Sequence, residues 1–204
     1  MIAIVDYGVG NLFSLASSFA AIGAEATVTG DAGILRTASH VVLPGVGAFG
    51  DARKKLSLRG LDAVLCRIVE EGKPLLGICL GMQLLFARSS EFGTHEGLGL
   101  LPGEITDMAP RLPGGLKTPQ IGWNALHLVR PEHPLLKYTK EGDFVYFVHS
   151  YHAVPDDPSV ITATTEYGEQ LTASVAKGAL QATQFHPEKS GDVGLAILRN
   201  FIEH

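Results

Sequence analysis

Short, wholly apolar runs alternate with amphipathic stretches through the first ninety residues. Ile2-Ala3-Ile4-Val5, Ala26-Thr27-Val28, His40-Val41-Val42-Leu43 and Leu75-Leu76-Gly77-Ile78 are too short for core helices and show little polar alternation. That pattern suits strands buried on both faces. Residues 12–22, 51–58 and 61–71 instead repeat apolar side chains at helical spacing, and another helical pattern begins just after Cys79. The βαβαβαβα rhythm predicts a mainly parallel sheet covered by helices on both sides.

The rhythm changes after Glu91. Residues 92–120 are rich in Gly and Pro, and strand-like pieces follow at 123–129, 144–149, 160–165, 171–175 and 180–185. These read as antiparallel or mixed strands folded against the first half. Residues 191–203 close as a helix with apolar Val193, Leu195, Ala196, Ile197, Leu198 and Phe201. No repeat, low-complexity tract or linker interrupts the chain. The expectation is a single domain over residues 1–204, an α/β fold in three layers. Its central sheet is mainly parallel but mixed, is flanked by helices, and carries an antiparallel excursion in the C-terminal half.

Composition narrows the function classes. The formal charge is −5 and there is no Lys/Arg run, which argues against nucleic acid or an anionic membrane as partner. No apolar stretch reaches the roughly 18 residues of a membrane span. The chain starts directly as a strand, so no leader is expected. Two cysteines, Cys66 and Cys79, make no disulfide framework and suit a reducing cytoplasm. Tyr7-Gly8-Val9-Gly10-Asn11 turns the chain after the first strand, but no third glycine completes a dinucleotide fingerprint, since Phe13 stands in its place.

The chemistry centres on Gly77-Ile78-Cys79-Leu80-Gly81. G-x-nucleophile-x-G is the strand-to-helix elbow that lifts a nucleophile above a sheet, its glycines giving way where side chains would collide. Taken alone, the pentapeptide also fits a buried, inert cysteine at a tight turn. A cysteine nucleophile needs a base, and the base an orienting group. His186 ends the apolar run 180–185 and is followed by Pro187 and Glu188. Pro187 pushes His186 into an extended conformation, in which residues two apart point the same way. Glu188 can then hold Nδ1 and leave Nε2 for a thiol. A strand-end histidine beside a solvated glutamate is the alternative. Pro44-Gly45-Val46-Gly47, at the end of another strand, can offer backbone N–H groups from Val46 and Gly47 to an oxyanion, with Leu80 as the second donor.

These three motifs together resemble the class I (triad) glutamine amidotransferases. The similarity spans essentially the whole chain. Asp6-Tyr7-Gly8-Val9-Gly10-Asn11-Leu12, Pro44-Gly45-Val46-Gly47-Ala48-Phe49, Ile121-Gly122-Trp123-Asn124, Tyr146-Phe147-Val148-His149-Ser150-Tyr151 and Pro187-Glu188-Lys189-Ser190 resemble most closely the branch that serves histidine biosynthesis. The resemblance implies the family's flavodoxin-like fold and a Cys79, His186, Glu188 triad that hydrolyses L-glutamine. It also implies contacts to glutamine from Gly45, Gln83, Glu91, Ser150 and Tyr151, with no metal or cofactor. In that branch the ammonia passes to a (β/α)8-barrel cyclase subunit, which forms imidazole glycerol phosphate and an aminoimidazole carboxamide ribonucleotide. Asn11, Trp123, Tyr146 and Lys189 would then lie at or near the face that docks on the cyclase. Three alternatives remain open from the sequence: a glutaminase serving another synthase, a non-catalytic module of the same fold, and a cysteine peptidase or esterase.

Overall fold

The computed structural model describes all of residues 1–204. The first half contains β1 (Ile2–Val5), α1 (Leu12–Ala21), β2 (Ala26–Thr29), α2 (Ala32–Thr37), β3 (His40–Leu43), α3 (Phe49–Leu58), α4 (Leu61–Glu70), β4 (Leu75–Ile78) and α5 (Leu80–Leu84). The second half adds β5 (Phe86–Ser89), β6 (His95–Glu96), β7 (Leu101–Asp107), β8 (Gln120–Ala125), β9 (His127–Leu128), β10 (Phe144–His149) and β11 (Tyr151–Pro155). It ends with β12 (Ile161–Glu166), β13 (Gln170–Lys177), β14 (Leu180–Thr183) and α6 (Gly191–Glu203).

An eight-stranded sheet runs in the order β2-β1-β3-β4-β14-β13-β12-β9. β2, β1, β3, β4 and β14 are mutually parallel; β13, β12 and β9 pair antiparallel. Alternation along the strands sorts the core into two layers. Ala3, Val5, Val41, Leu43 and Leu75 face α3 and α4, while Ile2, Ile4, Val42, Leu76 and Ile78 face α1 and α6. α4 is held by Leu61, Leu65 and Ile68, one buried stripe at helical spacing. Each fully buried side chain of this kind contributes about 1.5–3 kcal/mol.

The structure differs from the sequence expectation in four places. The helix after Cys79 is only five residues long before the chain enters β5. α2, capped by the Asp31 side chain on Ile34 N–H, lacks a marked apolar stripe and is not foreseen. The Gly/Pro-rich segment holds a seven-residue strand, β7, which pairs with β5 and β11 in a separate four-stranded sheet. The expected strand 123–129 divides into β8 and β9, and β8 leaves the main sheet to pair with β10. Trp123 thereby sits in mid-strand opposite Tyr146.

What matters for chemistry is one edge. The segments following β1, β3, β4 and β14 all leave from carboxyl ends of adjacent parallel strands, where α/β sheets gather their sites.

Candidate active site

Cys79 sits in a backbone conformation that residues with side chains rarely adopt, at φ 54° and ψ −112°. Such strain survives only where the surroundings enforce it. Cys79 N–H is tied to Thr183 O at 2.8 Å, and Gln83 N–H returns to Cys79 O at 3.1 Å as α5 begins. The glycines around the bend have no room for a methyl group. A Cβ on Gly77 would lie 2.8 Å from Leu85 Cδ1, and one on Gly81 would overlap the Leu43 carbonyl. A Cβ on Gly45 would meet Gly81 N and Tyr7 Oη, each at 2.8 Å. The loop after β3 is thus pressed against the first turn of α5. Gly47 in that loop has φ 94°, a left-handed conformation suited to glycine. Leu80 is the first residue of α5, so its N–H has no intrahelical acceptor.

His186 lies two residues beyond β14. Its N–H donates to Tyr146 O at 3.0 Å, and its carbonyl accepts from Ser190 Oγ at 2.6 Å. His186 Nδ1 and Glu188 Oε1 are 2.8 Å apart, and the two side chains are 3% and 1% exposed. The pairing expected from the sequence is present, but the reason is different. His186 is extended, while Pro187 opens a 3-10 turn over Pro187–Lys189 that carries Glu188 back beneath the imidazole. Burial opposes charge on His186, but the nearby Cys79 sulfur and the hydrogen-bonded Glu188 carboxylate outweigh it and push its pKa up to about 10. The imidazolium is therefore the favoured form at neutral pH. His186 Nε2 has no hydrogen-bond partner.

Both residues line a cavity of about 370 Å³. Val46, Gly47, Leu80, Gln83, Glu91, Ser150 and Tyr151, all named from the sequence, line it too. Gly45 lies behind Val46, and Glu188 behind His186. Glu91 reaches further than expected: its Oε2 accepts from Phe49 N–H at 2.5 Å, joining the cavity wall to the first turn of α3. Gln83 faces the cavity with its donors committed, since Nε2 donates to Tyr151 O at 2.9 Å and to Gln184 Oε1 at 3.0 Å. No group of three His, Cys, Asp or Glu converges as a metal site.

Of the four residues assigned to a docking face, three come together. Trp123 and Tyr146 rings meet edge-on at 6.1 Å, and Lys189 Nζ lies 5.7 Å from the Tyr146 ring centre. Asn11 immediately precedes α1, the helix that packs against the Pro187–Lys189 turn.

Sequence reasoning missed five residues. Pro119, Val148 and His149 line the cavity. His149 Nδ1 donates to Tyr151 O at 2.9 Å, and burial, with the His186 charge adding to it, lowers its pKa to about 4, so it stays neutral. Gln184 Nε2 lies 3.7 Å from Cys79 Sγ, and its position two residues before His186 was the available signal. Tyr7 Oη donates to Pro44 O at 2.8 Å and fixes the start of the glycine loop; burial, then the neighbouring Cys79, drives its phenol pKa far upward. Tyr7→Phe should leave the buried Pro44 carbonyl unpaired, costing about 1–3 kcal/mol. A thermal melt should show Tm falling by about 2–4 °C per kcal/mol. An unchanged Tm would mean that this bond does not hold the loop.

Comparison with known proteins places this geometry in context. The chain matches the family model "Glutamine amidotransferase class-I" over residues 3–204. It is 48% identical to an imidazole glycerol phosphate synthase subunit HisH of Syntrophotalea carbinolica, covering 98% of each chain. It is 50% identical to the HisH subunit of Methanothermobacter thermautotrophicus, covering 100% of this chain and 98% of the other. The structure of PurLQS from Thermotoga maritima superposes with a TM-score of 0.77 at 18% identity, over 99% of this chain and 97% of that one, and so shares the fold.

Proposed function

The chain belongs to the class-I glutamine amidotransferase family, and from that premise we propose that it is the glutaminase subunit of an imidazole glycerol phosphate synthase. The observation that carries this reading is the strained Cys79 sharing a cavity with the buried His186–Glu188 pair. The HisH relatives at 48–50% identity over nearly the full chain supply the branch.

In the proposed reaction the Cys79 thiolate, whose proton rests on His186, attacks the side-chain carboxamide carbon of L-glutamine, and the carbonyl π pair moves onto oxygen. The oxyanion is held by backbone N–H groups of Leu80 and of the Val46–Gly47 segment. His186, already protonated, donates its proton to the departing nitrogen as the C–N bond breaks, and ammonia leaves. The neutral imidazole then takes a proton from water as the water attacks the glutamyl thioester. The C–S bond breaks and returns its electron pair to sulfur, giving glutamate. Glu188 holds Nδ1 throughout. The Glu91 carboxylate suits the substrate's α-ammonium, and Gln83, its N–H groups spent, can offer only its carbonyl. Ser150 and Tyr151 complete the amino-acid subsite.

The ammonia is passed to a cyclase subunit of (β/α)8-barrel fold, in a cytoplasmic heterodimer. Support for a docking face comes from the β8–β10 ribbon. Val145, Phe147 and His149 on one side are buried, while Phe144, Ile121 and Trp123 on the other are exposed. Tyr146 links this ribbon to the triad, because its carbonyl holds the His186 backbone.

The test is glutamine hydrolysis with and without the cyclase subunit and its ribonucleotide ligand. Addition of both should raise the rate about 10²–10³-fold, the worth of completing an oxyanion hole. Equal rates alone and in complex would defeat the reading that the cyclase completes the oxyanion hole. No hydrolysis in either would defeat the glutaminase reading.

A further inference from the structure

We infer that Gln184 is a fourth catalytic residue, whose side-chain N–H holds the sulfur of Cys79, and that Gln83 sets its direction. The inference rests on Cys79 being the nucleophile. Three contacts fix the geometry. Tyr151 O can only accept, so Gln83 must present Nε2 to it, at 2.9 Å. The second Gln83 N–H then meets Gln184 Oε1 at 3.0 Å. With its carbonyl committed, Gln184 turns Nε2 toward Cys79 Sγ at 3.7 Å. Gln184 is completely buried and Gln83 is 5% exposed, so water does not compete for either amide.

A donor here has chemical consequences. Val148 O faces the same sulfur at 3.9 Å and can accept a thiol proton, so it favours the neutral form. Gln184 opposes that carbonyl from the buried side and favours the thiolate. The titratable groups facing Cys79 are His186, Tyr7 and, around the cavity, Glu91 and His149. Of these, the His186 imidazolium alone brings positive charge, and it loses that charge when it protonates the leaving ammonia. Gln184 keeps its donor through the whole cycle. During thioester hydrolysis, water oxygen bonds to the acyl carbon, its proton passes to His186, and the C–S electron pair returns to sulfur. The amide N–H then meets the emerging thiolate at the step where His186 is accepting a proton. Gln83 is a positioning residue in this arrangement.

The experiment uses the full chain and iodoacetamide as probe. Cys79 alkylation is followed by mass spectrometry across pH, with the half-buried Cys66 as internal reference. Gln184→Met keeps the volume and removes the donor. Alkylation at pH 7 should fall about ten- to a hundredfold, with its midpoint about one to two pH units higher, as expected for a lost hydrogen bond to a charged group. The kcat for glutamine should fall by a similar factor with KM within about twofold. Gln83→Met should move the midpoint in the same direction by less. A Gln184→Met profile that overlays the wild type overturns the inference. Should neither variant fold, the wild-type protein decides. The Gln184 side-chain amide protons in an NMR titration should shift at the alkylation midpoint, and Cys79→Ala should abolish the shift. A flat amide signal overturns the inference. A Gln184→Met profile like wild type beside a dead Cys79→Ala would remove only the role of the amide. An active Cys79→Ala would remove the nucleophile reading itself.

Discussion

Cys79→Ala should reduce glutamine hydrolysis by the complex about 10⁴–10⁶-fold, the range seen when a hydrolase loses its nucleophile. The loss should fall on kcat, because the cavity residues proposed to bind glutamine are not altered. Stability should change little, since Ala keeps the backbone and deletes one small, nearly buried group. Cys79→Ser should also fall by more than about 10³-fold. A serine hydroxyl must be deprotonated during attack, and an imidazole that retains its proton is a poor base for that task. In the cysteine protein the proton on His186 is already where the leaving nitrogen needs it. Rapid-quench kinetics should therefore show a glutamyl-enzyme burst in the wild type and none in either variant. Hydrolysis by Cys79→Ala within tenfold of wild type would end the covalent mechanism.

The second large effect is expected for Glu188→Gln. The carboxylate accepts from Nδ1 and offsets the imidazolium in a site where the two side chains are 3% and 1% exposed. An amide of the same shape removes the charge and can turn its N–H₂ toward Nδ1, which selects the wrong tautomer. Hydrolysis should fall about 10²–10⁴-fold, the upper figure being that of the comparable change in a serine protease triad. The pH dependence has a definite sign. The folded-state pKa of His186 is raised from 6.5 to about 10, so its contribution to stability is complete below about pH 6.5. That contribution is lost as pH rises through about 10. Removing Glu188 removes part of the upward shift. The stability gap between wild type and Glu188→Gln, measured by urea unfolding, should be widest near pH 6.5 and narrow toward pH 10. A gap that stays constant over that interval would show that the pair does not hold its proton.

The parallel half of the fold was legible because its strands are buried on both faces, and such strands spell themselves as apolar runs like Ile2–Val5. The elbow was legible for a steric reason: Gly77 and Gly81 stand where no Cβ fits. What escaped was structure held by pairing rather than by pattern. β7 contains Pro102, Gly103 and Glu104, residues that read as loop, and becomes a strand because β5 and β11 flank it. α2 depends on the Asp31 cap and on Leu35, its one buried side chain. In the site, most of the residues that line the cavity were named, with Pro119, Val148 and His149 as exceptions. Tyr7 and Gln184 act on other protein groups, and neither belongs to a residue type that marks catalysis by itself. The same limit applies to Glu91, whose bond to Phe49 N–H joins positions 42 residues apart.

The place of β14 bears on how the enzyme is made. It lies beside β4 in the sheet, yet it is synthesised a hundred residues later, after the antiparallel excursion is complete. Translation delivers the cysteine early and withholds its histidine almost to the end. A nascent or truncated chain that stops before residue 180 carries Cys79 without a partner, and β4 has an unpaired edge at the centre of the future sheet. Such a chain has no means of releasing ammonia, and its open strand makes it a substrate for chaperones and proteases. Catalytic competence is thus a late event in folding, reached only through a contact of high sequence separation. The order of synthesis itself keeps unfinished copies silent.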